Sequence, residues 1–285
     1  MKASLLLLAA LSASHAPAQL IWTGHAATNT IEWSAKNLRV YNSASKAPVL
    51  NIYSYLSSDF RRLSATSHDS YLRSEHAIDV KSLVGNYLSI GDVADLDFHG
   101  PHEDVSATFQ TFDLQPSKTT KTDKPVVVKL TDIFPENAVY QALLEEKTLA
   151  QVLTQGNGKP ADLAALLKAL DGQDVTEDGK LLSVADQVAL PTTVTGSPLR
   201  YHLTAKSPNR FAFYDYSDGI ATVHLCLDSG WTGHTLELAI KLEVPERLRP
   251  IFQAAHARTS GFLMKDRNLI ARPDATTVIT FSEKH

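Results

Sequence analysis

The stretch FAFYDYSDGIATVHLCL, residues 211–227, carries the clearest fold signal in the chain, because two alternating segments flank the turn sequence Ser-Asp-Gly. Alternation with a period of two is typical of half-buried strands, and an Asp-Gly pair between two such segments favours a tight hairpin. The alternation predicts that Phe211 and Phe213 share one face of the first strand and that Tyr214 and Tyr216 share the other. The sequence therefore predicts an antiparallel hairpin here.

Further alternating segments lie on both sides of this hairpin. They cover residues 30–33, 49–56, 77–82, 86–90, 105–114 and 126–130 before it, and 236–244 and 276–281 after it. Apolar residues at helical spacing predict a helix over residues 136–155, a second helix that Pro160 opens and Gly172 caps, and a third that begins near Arg247 and ends at Gly261. Because strands and helices do not alternate regularly, we expect an α+β fold with an antiparallel β-sheet flanked by helices.

The first eighteen residues are typical of a cleaved secretory signal peptide. Lys2 precedes the apolar run of residues 3–13, and the small residues Ala16 and Ala18 precede Gln19. The run is shorter than the roughly 20 apolar residues that a transmembrane helix needs. We therefore expect cleavage after Ala18 and a periplasmic or secreted protein without a transmembrane anchor.

Residues 19–285 are interpreted as a single exported α+β domain. The polar stretch at residues 115–124 has no apolar period, so a division into two subdomains would fall near residues 115–135. Cys226 is the only cysteine of the chain, which excludes an intramolecular disulfide. It lies in an alternating segment, where a free thiol is expected to pack as a small buried hydrophobe.

Composition excludes one class of partner. The 285 residues contain 27 Lys and Arg against 31 Asp and Glu, for a formal net charge of -4. A nucleic-acid-binding protein is expected to carry a basic excess that neutralises phosphates. We therefore expect no nucleic-acid partner, and the acidic charge favours a basic one.

One polar segment, residues 95–104, combines metal-ligand side chains. Two histidines three residues apart, His99 and His102, lie among carboxylates that include Asp97 and Glu103. Imidazole nitrogens and carboxylate oxygens suit zinc and other divalent metals. However, Gly100-Pro101 indicates a turn between the histidines, so their spacing does not ensure convergence. The segment is either a plain loop between strands, with no metal expected, or a metal site built from these four residues.

Tyr214 and Tyr216 are the second candidate feature. A tyrosine combines an apolar ring with a hydroxyl group, which suits a recognition surface. The same alternation also fits a sheet packed between helices, in which these rings would be core residues.

Four short motifs follow one another between residues 87 and 134. They are Tyr-Leu-Ser-Ile at 87–90, Phe-His-Gly-Pro-His at 98–102, Thr-Phe-Asp-Leu at 111–114 and Leu-Thr-Asp-Ile-Phe at 130–134. Their succession resembles an exported bacterial domain of unknown function, which occurs in the extracellular part of the lysozyme-sensing anti-sigma factor and beside peptidoglycan deacetylases. Gly100 and His102 match the family's Gly-Gly-Ala-His motif, whereas His99 and Pro101 depart from it. The resemblance implies an α+β fold with an antiparallel sheet and a binding role.

These observations lead to three functional hypotheses. The first is an exported binding module of the cell envelope, without a cofactor, whose ligand is a basic lysozyme-like protein or peptidoglycan. Its candidate binding residues are His99, His102, Glu103, Tyr214 and Tyr216. The second is a metal-dependent hydrolase that uses His99, His102, Asp97 and Glu103 around a divalent metal. The third is a structural envelope protein without a small-molecule site.

Overall fold

A computed structural model describes residues 19–66, 71–97, 104–115, 126–155, 159–176, 200–228 and 234–284. The predicted signal peptide and the segment that contains His99, His102 and Glu103 lie outside these ranges. Within the described ranges, no helix has the length and apolar character needed to span a membrane.

Four strands near the N-terminus form an antiparallel sheet, the meander, in which each strand pairs with the next along the chain. Its strands are β1 (Leu20–Ala26), β2 (Asn29–Ser34), β3 (Asn37–Asn42) and β4 (Pro48–Asn51). One face is apolar and buried, with Ile31, Trp33 and Leu38 fully enclosed. The meander therefore contributes one wall of a hydrophobic core.

The chain changes from strand to helix at Asn51, so the prediction of a strand over residues 49–56 is wrong beyond that position. Helix α1 spans Ile52–Thr66, and its buried residues Ile52, Leu56 and Phe60 recur every four residues. The side chain of Asn51 caps this helix, since its Oδ1 accepts a hydrogen bond from the Ser54 amide at 3.4 Å. The helical period of the apolar residues outweighs the short alternation at its start.

The central sheet is antiparallel and is built around two long strands. Its members are β5 (Tyr71–Val84), β6 (Tyr87–Asp97), β7 (Asp104–Asp113), β8 (Val126–Val127), β14 (Gly261–Phe262) and β15 (Thr277–Lys284). The short strand β14 pairs with residues 83–84 of β5, and β15 pairs with residues 71–78. The predicted strand over residues 126–130 is shorter than expected, because helix α2 begins at Leu130.

The C-terminal sheet contains the predicted hairpin. Its strands are β9 (Gln173–Thr176), β10 (Arg200–Leu203), β11 (Phe211–Ser217), β12 (Ile220–Asp228) and β13 (Thr235–Glu243). Strand β12 pairs with β13 along one side and with β11 along the other. The hairpin turn has Asp218 at φ 52° and Gly219 at φ 82°, the two positive φ values that a type I′ turn requires. The hairpin prediction is confirmed.

Five further α-helices lie among the described residues. They are α2 (Leu130–Ile133), α3 (Glu136–Glu145), α4 (Lys147–Gln155), α5 (Leu163–Leu170) and α6 (Arg249–His256). Helix α2 was not predicted, and the last helix ends at His256 rather than at the predicted Gly261. The single helix expected over residues 136–155 is two helices, because Glu146 leaves the helical conformation. Its carboxylate instead accepts a hydrogen bond from the Leu149 amide at 2.8 Å and caps α4. The helix predicted between Pro160 and Gly172 is confirmed, and it spans Leu163–Leu170 because Asp162 caps its start.

The two larger sheets pack face to face, and helices cover the outer face of each sheet. One face of the central sheet forms a core with α1 and the meander. The far face of the C-terminal sheet forms a second core with the helices that follow β8. Between the sheets, the Thr111 hydroxyl donates to the Phe211 carbonyl oxygen at 2.6 Å, and the Phe213 amide donates to Ser82 Oγ at 3.3 Å. The chain is therefore an α+β protein in which strands predominate and the sheets are antiparallel.

Candidate functional site

Tyr214 lies at a β-bulge in strand β11, which pairs with β12 in the C-terminal sheet. Phe213 pairs with Val223 and Asp215 pairs with Thr222, so Tyr214 is the extra residue of β11. Its ring stacks on the His224 imidazole with the centroids 4.0 Å apart and the planes 4° from parallel. The His224 Nδ1 lies 2.7 Å from Glu237 Oε2. The bulge thus aligns the Tyr214 ring, the His224 imidazole and the Glu237 carboxylate across strands β11, β12 and β13.

The bulge also corrects the expected position of Tyr216. Because one extra residue reverses the alternation beyond it, Tyr216 turns to the buried face and is only 5% exposed. Its ring lies 5.6 Å from that of Phe252 on α6. The prediction that Tyr214 and Tyr216 share a face is wrong, and Tyr216 is a core residue rather than part of a recognition surface.

Asp215, the residue after Tyr214, joins this region to the segment after β14. Its carboxylate forms an ion pair with the ammonium group of Lys265 and lies 3.8 Å from Nδ1 of His256. All three side chains retain partial solvent exposure. The carboxylate of Asp215 is therefore paired with the Lys265 ammonium group.

The central sheet extends beyond the C-terminal sheet that covers it, and the uncovered part is named here the open face. In it, Val278, Ala77 and Val93 form one row across β15, β5 and β6. Val278 is 50% exposed and Val93 is 42% exposed. The row ends at Ala107, which is buried where Cys226 packs on its carbonyl oxygen. The apolar row is therefore open to solvent at one end and enclosed at the other.

An acidic row lies directly beside the apolar row of the open face. Glu75 and Asp95 are cross-strand neighbours, with Thr280 on the other side of Glu75. The next pair along the same two strands is Arg73 and Asp97. Arg73 bonds Glu75 through its guanidinium group at 2.8 Å. Among the described residues of these two pairs, three carboxylates and one guanidinium group lie beside the exposed apolar strip.

Asp97 belongs to this open face, and it is the one residue of the predicted metal cluster that the structure describes. His99, His102 and Glu103 lie outside the described residues, so their predicted convergence stays a prediction. Within the described part of the chain, no three His, Cys, Asp or Glu side chains are grouped so that they could hold a metal ion.

A Ser-His-Asp hydrogen-bond chain lies on the opposite face of the central sheet. Ser74 Oγ is 2.8 Å from His76 Nε2, and His76 Nδ1 is 3.0 Å from Asp92 Oδ1. This is the order of contacts in a serine hydrolase triad. However, Ser74 is only 1% exposed, and a nucleophile must contact the carbonyl carbon that it attacks. The chain of hydrogen bonds therefore satisfies buried polar groups beneath α1.

The sequence alone did not reveal these Ser-His-Asp hydrogen bonds, because their members come from two strands. Ser74 and His76 are two residues apart on β5, and Asp92 reaches them from β6. A Ser-x-His sequence resembles no catalytic motif, so the cross-strand register is needed to find the third member. The same holds for the rows of the open face, whose members come from three strands.

The lone thiol has the properties that the sequence predicted. Cys226 is buried between the two larger sheets, where it packs with Phe109, Ala212 and Met264. Burial raises the pKa of the Cys226 thiol to about 12. A thiol with this pKa is protonated at neutral pH, and only the thiolate is a strong nucleophile. Cys226 is therefore part of the packing between the sheets.

The open face is the candidate functional site, since exposed apolar and charged side chains lie there in two adjacent rows. No protein-family model, curated protein or solved structure matches this chain.

Proposed function

We propose that this chain is an exported α+β binding protein of the cell envelope, which binds a basic protein such as a lysozyme through the open face. The signal-peptide pattern of residues 1–18 supports export, and the motif succession of residues 87–134 supports a binding role. In this proposal the protein carries no cofactor, and an antiparallel sheet flanked by helices serves as a rigid platform for the surface.

The observation that carries the proposal is the acidic row beside the apolar row. An exposed apolar strip next to like charges is typical of a surface that a partner covers, because burial of the strip supplies affinity and the charges select the partner. Glu75, Asp95 and Asp97 select for Lys and Arg side chains. The formal net charge of -4 adds long-range attraction for a basic protein, and this attraction weakens as salt screens it.

The proposed partner is a protein rather than a small molecule because of the shape of the surface. The rows run across neighbouring strands of a sheet face, and sheet faces present flat areas instead of enclosed cavities. The side chains of Val93 and Val278 stand on either side of Ala77, so a partner could seat one apolar side chain between them. A central apolar anchor with a charged rim is the usual arrangement of a protein interface.

Binding of a basic lysozyme, measured by calorimetry at low salt, tests the proposal. The key variant is Val93→Lys, which introduces a positive charge into the apolar row beside Ala77. We expect it to weaken binding by about tenfold or more. The matched control is Ile220→Lys, since Ile220 is also an exposed apolar strand residue but lies at the hairpin turn of the C-terminal sheet.

Two outcomes would contradict this proposal. One is the absence of lysozyme binding at low salt in the purified protein without its leader. The other is equal loss of binding in Val93→Lys and Ile220→Lys. Sedimentation with insoluble peptidoglycan that is unaffected by Val93→Lys, together with no lysozyme binding, would favour the glycan as the ligand instead.

A further inference from the structure

A second surface feature lies on the outer side of the meander, across the central sheet from the open face. It is a groove of ≈ 340 Å³ between β2, β3 and β4, named here the meander groove. Its volume falls in the range of small-molecule sites, which begins at about 300 Å³. The groove is lined by Glu32, Arg39, Val40, Tyr41, Lys46, Pro48, Leu50 and Asn51.

Lys46 enters the groove from an ordered turn. Asn42 organises this turn, because its Oδ1 accepts hydrogen bonds from the amides of Ala44 at 3.1 Å and Ser45 at 2.9 Å. The turn places Lys46 at φ 60°, a left-handed conformation that glycine and asparagine adopt with less strain. The Lys46 ammonium group lies 4.9 Å from the centroid of the Tyr41 ring. Strained backbone positions of this kind cluster at functional sites.

Tyr41 and Asn51 are held in place by hydrogen bonds that leave part of each group for a ligand. The Tyr41 hydroxyl donates to Glu32 Oε1 at 2.6 Å, and this hydrogen bond raises the pKa of Tyr41. Asn51 Oδ1 accepts from Asn37 Nδ2 at 3.1 Å. This bond fixes the orientation of the Asn51 amide, whose nitrogen donates to no described residue. The groove is thus pre-organised by contacts within the meander and with α1.

The groove is locally cationic although the chain as a whole is acidic. Arg39 and Lys46 supply two positive charges against the single carboxylate of Glu32, whereas the formal net charge of the chain is -4. A guanidinium group beside an ammonium group suits an oxyanion, with the guanidinium able to bond a carboxylate in a bidentate manner. The Tyr41 ring and Pro48 add apolar surface, and Glu32 and Asn51 add an acceptor and a donor for hydroxyl groups.

We infer that the meander groove binds a saccharide that carries a carboxylate group. In this arrangement Arg39 and Lys46 bind the carboxylate, the C–H face of the sugar ring packs on Pro48, and Glu32 and Asn51 hydrogen-bond its hydroxyl groups. The inference does not depend on the open face, since the two surfaces use different residues on opposite sides of the central sheet.

Calorimetric titration with two related sugars tests the inference. The probes are N-acetylmuramic acid and N-acetylglucosamine, which differ by the lactyl group that bears the carboxylate. We expect N-acetylmuramic acid to bind about tenfold more tightly, because charge-assisted hydrogen bonds are roughly twice as strong as neutral ones. Arg39→Gln should remove most of this preference. Lys36→Gln, an exposed lysine in the neighbouring β2–β3 turn and outside the groove lining, is the matched control and should leave it unchanged.

Lys46→Gly separates the binding role of this lysine from a structural one. Glycine relieves the left-handed strain, so the melting temperature of the variant should equal or exceed that of the wild type. Its affinity for N-acetylmuramic acid should nevertheless fall about tenfold, because the ammonium group is lost. Equal affinity for both sugars, binding of neither sugar, or unchanged affinity in Lys46→Gly would each overturn the inference.

Discussion

Arg267 donates a hydrogen bond from Nε to the carbonyl oxygen of Val80 at 3.2 Å, in the interval of β5 between its pairings with β14 and β15. Its guanidinium group also lies 3.2 Å from Asp79 Oδ2 and 5.5 Å from the Trp33 ring. The other N–H groups donate to the carbonyl oxygens of Arg272, Pro273 and Ala275. One buried side chain therefore replaces the donors that a neighbouring strand would supply, and it holds the chain segment between β14 and β15 against β5.

Replacement of Arg267 by leucine should lower the free energy of unfolding by about 3–5 kcal/mol, since it leaves several carbonyl oxygens without a donor and leaves Asp79 with Lys81 in place of two cationic partners. Arg267→Lys should recover only part of this loss, because a lysine ammonium group lacks the planar set of donors with which the guanidinium group reaches its five acceptors. Urea unfolding followed by circular dichroism measures both values. Arg272→Lys is the control, since this arginine is exposed and should change stability by less than about 0.5 kcal/mol. Equal losses at both positions would contradict the interpretation.

Gly261 gives a second stability prediction. The sequence pattern assigned Gly261 to the end of the last helix, but α6 ends at His256 and Gly261 begins β14. Its φ is +89°, and a Cβ at this position would lie 2.1 Å from the carbonyl oxygen of Leu83. Gly261→Ala should therefore destabilise the protein by about 2 kcal/mol or more, because the backbone of β5 has to move. An unchanged urea midpoint would show that β14 does not approach β5 this closely.

Local patterns predicted those parts of the fold whose cause is local. The turn at Asp218 and Gly219 and the helix at residues 163–170 each depend on a few consecutive residues, so their sequence signals were sufficient. Helix α1 was missed because the alternation near Val49 and Leu50 was extended across Asn51, where a capping side chain ends the strand. A short alternating segment and the first turn of a helix cannot be told apart by period alone.

Features that depend on strand register could not be predicted from single segments. The position of Tyr216 required knowledge of the bulge at Tyr214, since one inserted residue reverses every later side chain of the strand. The open face required the pairing of β5 with both β6 and β15, which places Val93 and Val278 in one row although they are far apart in sequence. Sequence reasoning identified Asp97 as a carboxylate of interest, but it did not identify the row of carboxylates to which Asp97 belongs.

The buried Ser-His-Asp chain should have no nucleophilic activity. A fluorophosphonate probe that labels active-site serines should not label the folded protein, because Ser74 is enclosed beneath α1. Asp92→Ala should instead lower the free energy of unfolding by about 1–3 kcal/mol, since it leaves Nδ1 of His76 without its carboxylate partner. Stoichiometric labelling that is lost in Ser74→Ala would contradict this prediction and indicate that α1 moves away from the sheet.

The stability of the protein should fall at alkaline pH through Cys226. Burial raises the pKa of this thiol from an ordinary value of 9.0 to about 12, so between these values the unfolded chain loses the proton while the folded chain retains it. The stabilisation is therefore fully present below pH 9 and is lost as the pH rises toward 12, by up to about 1.4 kcal/mol per pH unit. Urea unfolding of the wild type and of Cys226→Ala measures this difference as a function of pH. The free-energy gap between the two proteins should be constant below pH 9 and should shrink above it, whereas a constant gap up to pH 11 would mean that the thiol ionises in the folded protein as readily as in the unfolded chain.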